Sequence, residues 1–161
     1  MAAPDLKGRA SLANPVHFLA LGFGSGLSPK APGTLGTLAA IPLYLLVAML
    51  PFWAYLLVTA LVCVVGVWIC DRAARDFGVH DHPAIVWDEV AGFLVTMIAV
   101  PLGLVWVVLG FLLFRFFDIV KPWPIRWLDR HVHGGFGIMI DDIIAGVFAA
   151  LVLHLIVFLV T

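Results

Sequence analysis

Two pairs of adjacent acidic residues carry the strongest chemical signal in the sequence. Asp88-Glu89 stands directly before the apolar run VAGFLVTMIAV, and Asp141-Asp142 stands directly before IIAGVFAALVL. In each pair an acid is followed four residues later by a glycine on the same helix face, where another helix or a ligand can come close. Two such helix ends facing each other would form a box of carboxylates, whose mutual repulsion requires a cation or raises a pKa. Mg²⁺ is the simplest candidate because it prefers hard carboxylate oxygens.

Basic side chains lie near the second pair, in the polar segment 115–146. Arg115 and Asp118 are three residues apart, on one face of a helix that Pro122 ends, and Lys121 stands between them and the proline. Arginine and lysine can neutralise the charge of a transferring phosphoryl group. The competing interpretation is an intrahelical ion pair in a helix whose basic residues anchor it at the cytoplasmic side of a membrane.

A second polar segment, 22–37, is rich in glycine and proline and reads GFGSGLSPKAPGTLGT. Ser25, Ser28, Lys30 and Thr34 offer hydrogen-bond donors there, beside backbone amides that a helix would not occupy throughout. Such a loop suits phosphate, although it lacks the Gly-Lys-Ser/Thr ending of a Walker A motif. The alternative is a plain entry loop.

Composition indicates a membrane protein. The chain has 161 residues, of which 63% are hydrophobic and 12% charged. Soluble domains average about 45–50% apolar and about 25% charged residues. The net charge of -1 gives no basic excess for nucleic acid, and none is expected as a partner. Two cysteines, Cys63 and Cys70, lie in or beside an apolar run, so we interpret them as packing residues.

The apolar runs predict an all-α fold, a polytopic transmembrane bundle with short broken or re-entrant helices and polar loops on the cytoplasmic side. Expected helices cover 35–50, 52–69, 85–100, 103–120 and 143–160, with an interfacial stretch at 123–130 and a flexible turn at Gly134-Gly135. Lysine and arginine counts place the polar segments on one side, so 85–100 and 103–120 should form a hairpin. One long tilted span is the alternative, and it would separate the acid pairs. We expect residues 1–14 to be a disordered tail and 15–161 a single membrane-embedded catalytic domain.

Four ordered motifs carry a resemblance to a known family: GFGSGLSPKAPGTLGTLAAIP, VHDHPAIVWDEVAG, FRFFDIVKPWPIRWLDR and HGGFGIMIDDIIAG. Together they span most of the chain from Gly22 to Gly146 and resemble the phosphatidylglycerophosphatase A family of small bacterial membrane enzymes. The resemblance implies removal of the terminal phosphate from phosphatidylglycerophosphate to give phosphatidylglycerol, with Mg²⁺ required. It also implies a multi-pass protein of the bacterial inner membrane whose active site faces the cytoplasm. No obligate protein partner is inferred.

From the resemblance and the chemistry of the side chains, we assign hypothetical roles to the candidate residues. The carboxylates assigned to Mg²⁺ are Asp88, Glu89, Asp141 and Asp142. Asp118 is a further ligand or the base that orients water, and with Asp88 and Asp142 it makes up the predicted catalytic set. The groups assigned to phosphate are Arg115, Lys121, Ser25, Ser28, Lys30 and Thr34.

The sequence argues against several other chemistries. It lacks the Asp-x-Asp-x-Thr/Val motif of haloacid dehalogenase phosphatases, the lipid phosphatase motifs with a histidine nucleophile, and a Cys-x5-Arg loop. Direct attack by water is thus favoured over a phosphoenzyme, with Asp118 as the conceivable nucleophile. A CDP-alcohol phosphotransferase would also use an aspartate cluster, but its signature is missing. A small divalent-cation transporter is the non-enzymatic alternative, and it would place carboxylates near the bilayer midplane.

Overall fold

The computed structural model describes residues 6–160, which form seven α-helices and one short 3-10 helix and contain no strand. In chain order the α-helices are α1 (Pro15–Ala20), α2 (Pro32–Val47), α3 (Phe52–Phe77), α4 (Trp87–Thr96), α5 (Leu104–Val120), α6 (Ile125–His131) and α7 (Gly134–Val160). The 3-10 helix, Ser25–Leu27, lies between α1 and α2. The prediction of an all-α fold is confirmed.

The short helix α4 is the buried centre of the fold. Eight of its ten residues are buried, and it packs against α2, α3, α5 and α7. A Cβ atom on Gly146 of α7 would lie 2.5 Å from the Gly92 carbonyl oxygen, and one on Gly92 would lie 2.8 Å from the Asp142 carbonyl oxygen. Both distances are too short for a real side chain, so the glycines of the two similar motifs let α4 and α7 cross in backbone contact. The crossing brings the acid pairs together.

The predicted hairpin of 85–100 and 103–120 corresponds to α4 and α5. The turn between them includes Ala99, whose φ is 58°. Arg115, near the end of α5, places its Nη1 atom 3.7 Å from Oε1 of Glu89 at the start of α4. The two helices therefore run antiparallel, and the alternative of one long span is wrong.

The start of α7 differs from the prediction. Gly134-Gly135, expected as a flexible turn, are its first residues, and the helix begins well before residue 143. A Cβ atom on Gly135 would lie 1.9 Å from the Val67 carbonyl oxygen, and the Gly135 amide donates to Oδ1 of Asp71 at 3.2 Å. Close packing on α3 and a hydrogen bond donated to Asp71 of α3 thus stabilise a helix start that glycine alone disfavours. As a consequence, the second acid pair lies about two turns inside α7 and not at its end.

Helix α3 also extends beyond its predicted end at residue 69. It continues to Phe77 and stops at Gly78, which has a φ of +70° and is the C-cap. The extra turns hold Asp71, Arg72, Arg75 and Asp76, which form two ion pairs at i,i+4 spacing. Such pairs support a helix even in polar sequence, which is why the end of the apolar run did not mark the end of the helix.

Two of the described helices, α3 and α7, are long and apolar enough to cross a membrane. Helix α2 is apolar but shorter, with 16 residues. Large apolar side chains are exposed along these helices, as at Val64, Leu151 and Phe158. The finding is consistent with a membrane protein, and the number of crossings stays a prediction.

The predicted N-terminal tail, 1–14, is described only in part, because residues 1–5 lie outside the described range. Residues 6–14 form turns and bends. Arg9 Nη1 donates to the Phe77 carbonyl oxygen at 2.8 Å, and the Asn14 side chain accepts from the Val16 amide at 2.9 Å as the cap of α1.

Candidate active site

Three acidic side chains from two helices converge at the crossing of α4 and α7. Asp88 and Glu89 stand in the first turn of α4, and Asp142 stands in α7. One carboxylate oxygen from each lies within 4.8 Å of the others. Asp88 and Asp142 are buried, with exposed fractions of 8% and 3%. Three of the four predicted metal ligands therefore meet in one group, which we name the carboxylate cluster.

One oxygen of each carboxylate in the cluster lacks a hydrogen-bond partner among the described residues. Asp88 Oδ1, Glu89 Oε2 and Asp142 Oδ2 are buried and accept no hydrogen bond from any described residue. Ionised carboxylates in such surroundings are costly unless a positive charge offsets them. Hard oxygens in a group of this size suit a small divalent cation, so the residues fit the Mg²⁺ that the sequence led us to expect.

Asp141, the fourth predicted ligand, is adjacent to the carboxylate cluster but differently engaged. Its Oδ2 accepts from Lys121 Nζ at 2.5 Å, while its buried Oδ1 has no partner among the described residues. Successive residues of a helix project about 100° apart, which explains why Asp141 and its neighbour Asp142 face different groups. Asp141 thus links the cluster to a basic side chain.

Lys121 occupies the C-cap of α5 with a left-handed φ of 47°. This conformation is unusual outside glycine, and Nζ of Lys121 donates to Asp141 of α7 and to Asp129 of α6, the latter at 2.9 Å. Burial lowers the pKa of Lys121, but the two carboxylates outweigh that effect and raise it above its ordinary value. Lys121 is therefore a fixed positive charge at neutral pH.

Arg115 and Asp118 form the intrahelical ion pair that their spacing suggested, and they also belong to the site. Arg115 Nη1 donates to Asp118 Oδ2, and the same nitrogen faces Glu89. Asp118 is buried, and Nε of Arg115 is buried without a hydrogen-bond partner among the described residues. An ion pair whose members still hold unused hydrogen-bonding capacity inside a cavity is suited to bind a further polar group.

A cavity of about 450 Å³ contains the carboxylate cluster and the groups around it. Its charged lining residues are Asp81, Asp88, Glu89, Arg115, Asp118, Lys121, Asp141 and Asp142. Acidic and basic groups thus face one space, which is large enough for a phosphate group.

The N-terminus of α2 forms another wall of this cavity, through residues 31–34. The first intrahelical bond of α2 runs from the Leu35 amide to the Ala31 carbonyl oxygen, so the amides of Gly33 and Thr34 have no partner within the helix. A Cβ atom on Gly33 would lie 2.3 Å from Glu89 Oε1, hence only glycine allows this approach. Free amides at the positive end of a helix dipole are suited to bind an anion.

Of the loop residues predicted to bind phosphate, Thr34 lines the cavity, whereas Ser25, Ser28 and Lys30 do not. Ser25 Oγ donates to the Gly22 carbonyl oxygen at 2.7 Å, and Ser28 Oγ donates to the Lys30 carbonyl oxygen at 2.9 Å. The two hydroxyls are therefore used to fold the loop, in the local side-chain to backbone pattern common for serine.

Asp81 lines the cavity but received no role from the sequence. It has a left-handed φ of 50° in the loop between α3 and α4. Desolvation raises its pKa above the ordinary value, with Lys121 opposing the shift. The sequence signal that could have identified Asp81 as a site residue is its place in the motif VHDHPAIVWDEVAG, which also contains the first acid pair.

A family model and two relatives that resemble this chain carry the same name. The family model for phosphatidylglycerophosphatase A matches residues 18–157. A phosphatidylglycerophosphatase A of Escherichia coli is 55% identical over 151 residues, covering 93% of this chain and 88% of that protein. One of Haemophilus influenzae is 48% identical over 146 residues, covering 89% and 90% of the two chains.

A third relative carries a different name. A candidate phosphatidylinositol-3-phosphatase of Bacteroides thetaiotaomicron is 41% identical over 136 residues, covering 80% of this chain and 84% of that protein. No solved structure matches the chain. The family model covers most of the chain and all four motifs. The chain belongs to the phosphatidylglycerophosphatase A family.

Proposed function

We propose that this protein hydrolyses the terminal phosphomonoester of phosphatidylglycerophosphate, giving phosphatidylglycerol and phosphate, with Mg²⁺ as cofactor. The observation that carries the proposal is the single cavity that joins the carboxylate cluster to Arg115, Lys121 and the free amides of α2. The names of the close relatives supply the substrate.

Asp88, Glu89 and Asp142 would hold the metal ion through their unpaired oxygens, with the free oxygen of Asp141 close by. A bound Mg²⁺ supplies Lewis-acid polarisation of the phosphoryl group and offsets the charge of the carboxylates. The proposal gives metal binding to the acids and phosphate binding to the basic groups and amides.

Arg115, Lys121 and the amides of Gly33 and Thr34 bind the equatorial phosphoryl oxygens and stabilise the charge that develops on them. In the proposed step the oxygen of water forms a bond to phosphorus, and the bond from phosphorus to the glycerol oxygen breaks. Asp118, held at the cavity wall by Arg115, orients the water and accepts its proton. The departing glycerol oxygen takes a proton from solvent.

The substrate is a lipid, so the proposed site must open where headgroups lie. We propose a multi-pass protein of the bacterial inner membrane whose cavity faces the cytoplasm, because lysine and arginine concentrate in the segments around it. Helices α3 and α7 are the candidate spans. The acyl chains would stay in the bilayer while the phosphomonoester enters the cavity.

The test is phosphate release from phosphatidylglycerophosphate in mixed detergent micelles, with Mg²⁺ and with the metal removed by a chelator. Release should be fast only with Mg²⁺ and should be lost in Asp88→Asn and Asp142→Asn. Asp71→Asn is the matched control, because it makes the same charge change outside the cavity and keeps the oxygen that caps α7. Metal-independent release would contradict the cofactor assignment, and absence of release from folded wild type would contradict the reaction.

Phosphatidylinositol 3-phosphate is the second candidate substrate, because the relative named for it is 41% identical. It presents a phosphomonoester as well, so the catalytic groups would act in the same way. Assaying both lipids at equal mole fraction decides between them. The proposal predicts a higher kcat/KM for phosphatidylglycerophosphate, and the reverse order would overturn the substrate assignment.

The buried carboxylates alone would also suit a divalent-cation transporter. That alternative predicts cation uptake by purified protein in sealed vesicles without any phosphate release. A CDP-alcohol phosphotransferase would instead require a cytidine nucleotide. The proposal predicts hydrolysis with no nucleotide present.

A further inference from the structure

A second cavity, of about 390 Å³, adjoins the active site and has a different charge. Its side walls are formed by the end of α5, the segment 121–123 and α6. The lining side chains that bear on its chemistry are Lys121, Trp123, Arg126, Trp127, Arg130 and His131. Acidic residues do not line it within the described chain, so it is a cationic pocket.

The two cavities meet at one residue. Lys121 lines both of them, and its Nζ atom donates to Asp141 on the active-site side and to Asp129 of α6. The active site is dominated by carboxylates and would bind an anion with the help of a metal ion. The cationic pocket has arginines in their place, and these can bind an anion directly.

The side chains of the cationic pocket are suited to the headgroup level of a membrane. Arg126 Nη2 donates to the Val120 carbonyl oxygen at 3.2 Å, which holds this guanidinium near the end of α5. Trp127 stacks on His131 with ring centroids 4.8 Å apart. Trp123 is 81% exposed and Trp127 is 52% exposed. Exposed tryptophans beside arginines are typical of the interface between headgroups and acyl chains.

We propose that the cationic pocket binds the phosphodiester of the lipid substrate while the active site binds its phosphomonoester. This inference rests on the proposed function. In phosphatidylglycerophosphate a single glycerol separates the two phosphates, which matches two anion sites that share one side chain. Guanidinium groups recognise phosphate oxygens through paired hydrogen bonds, so Arg126 and Arg130 are the residues that recognise the diester. The pocket would select lipids that carry a second phosphate.

The two reaction products can be used to probe the two sites separately. Phosphatidylglycerol keeps the diester, and inorganic phosphate resembles the monoester, so each inhibits through one site. In the double variant Arg126→Gln/Arg130→Gln, KM for phosphatidylglycerophosphate and the inhibition constant of phosphatidylglycerol should both rise about tenfold or more, because two charge-assisted contacts are lost. The inhibition constant of inorganic phosphate should not change.

The matched control is Arg72→Gln/Arg75→Gln, which removes two exposed arginines that line neither cavity. An equal rise in this control would mean that bulk attraction of anionic micelles explains the effect, and it would overturn the proposal. Unchanged constants in Arg126→Gln/Arg130→Gln would also overturn it. If the double variant unfolds, the single variant Arg130→Gln, whose side chain is exposed, should show the same pattern at smaller size.

A binding measurement without turnover keeps the inference separate from the proposed reaction. Phosphatidylglycerol is titrated into micelles of dodecyl maltoside, a detergent without phosphate, that contain the protein, and tryptophan fluorescence reports binding. Weaker binding by Arg126→Gln/Arg130→Gln than by wild type and control supports the diester site, even if wild type releases no phosphate. Equal binding by all three proteins would overturn it.

Discussion

The two acid pairs look alike in sequence and behave differently in the structure. Asp88 and Glu89 stand in the first turn of α4, and both join the carboxylate cluster. The pair in α7 is divided, because Asp142 joins the cluster while Asp141 pairs with Lys121. Successive side chains project about 100° apart in both helices, so the difference comes from the neighbouring elements: Lys121 at the end of α5 lies beside Asp141. The first motif therefore supplies two carboxylates to the cluster, whereas the second supplies one carboxylate and an ion pair with Lys121.

The largest effect should come from the members of the carboxylate cluster. Asp88→Asn and Asp142→Asn should each lower kcat/KM by roughly 10³-fold at saturating Mg²⁺, because each would remove a charged oxygen from the proposed metal site. The double variant should be little worse than either single variant, since both act through one site. Losses that multiply would show that the two helices serve separate functions.

Asp141→Asn should have a smaller effect, since Asp141 acts through Lys121. We expect a loss of roughly tenfold in kcat/KM, about 1.4 kcal/mol of transition-state stabilisation. Combining it with Lys121→Gln should give less than the product of the single losses, because the two groups are in direct contact. A loss as large as that of Asp142→Asn would mean that Asp141 is a full metal ligand.

The glycine contact between α4 and α7 should matter mainly for stability. Gly146→Ala would press a Cβ atom against the Gly92 carbonyl oxygen and should destabilise the fold by about 1–3 kcal/mol. Thermal unfolding in detergent measures the effect. Gly103→Ala is the matched control, because its Cβ atom would meet only Trp106, at 3.3 Å or more. An unchanged melting temperature for Gly146→Ala would show that the helices do not cross at this point.

The smallest effect should come from the loop hydroxyls that do not line the cavity. Ser25→Ala and Ser28→Ala should change kcat/KM by less than about threefold, because these groups bond only to neighbouring backbone. A decrease beyond tenfold in either variant, without loss of stability, would restore the sequence-based assignment of these serines to phosphate binding.

Local sequence was sufficient to predict the helical class, the hairpin of α4 and α5 and the acids of the carboxylate cluster. Each of these depends on hydrophobic runs, turn residues and charges that are adjacent in the chain. It was not sufficient for the start of α7, because Gly134-Gly135 resemble a turn until Val67 and Asp71 of α3 are placed against them.

The residues of the candidate site show the same limit of prediction from local sequence. Thr34 and Ser25 are similar loop hydroxyls in sequence, but only Thr34 lines the cavity, because α2 begins at Pro32. Asp81 is brought to the cavity by a left-handed backbone conformation in a loop, which no periodic pattern reveals. Backbone conformation, and not residue type, decided both cases.

The central claim is that acids from α4 and α7 form one cation site. Mn²⁺ can replace Mg²⁺ at oxygen sites, and electron paramagnetic resonance counts free Mn²⁺ directly, so binding can be measured without substrate. Wild type and the control Asp71→Asn should bind Mn²⁺ with the same affinity, whereas Asp88→Asn and Asp142→Asn should each bind it at least about tenfold more weakly. Wild-type affinity in both cluster variants would contradict the account.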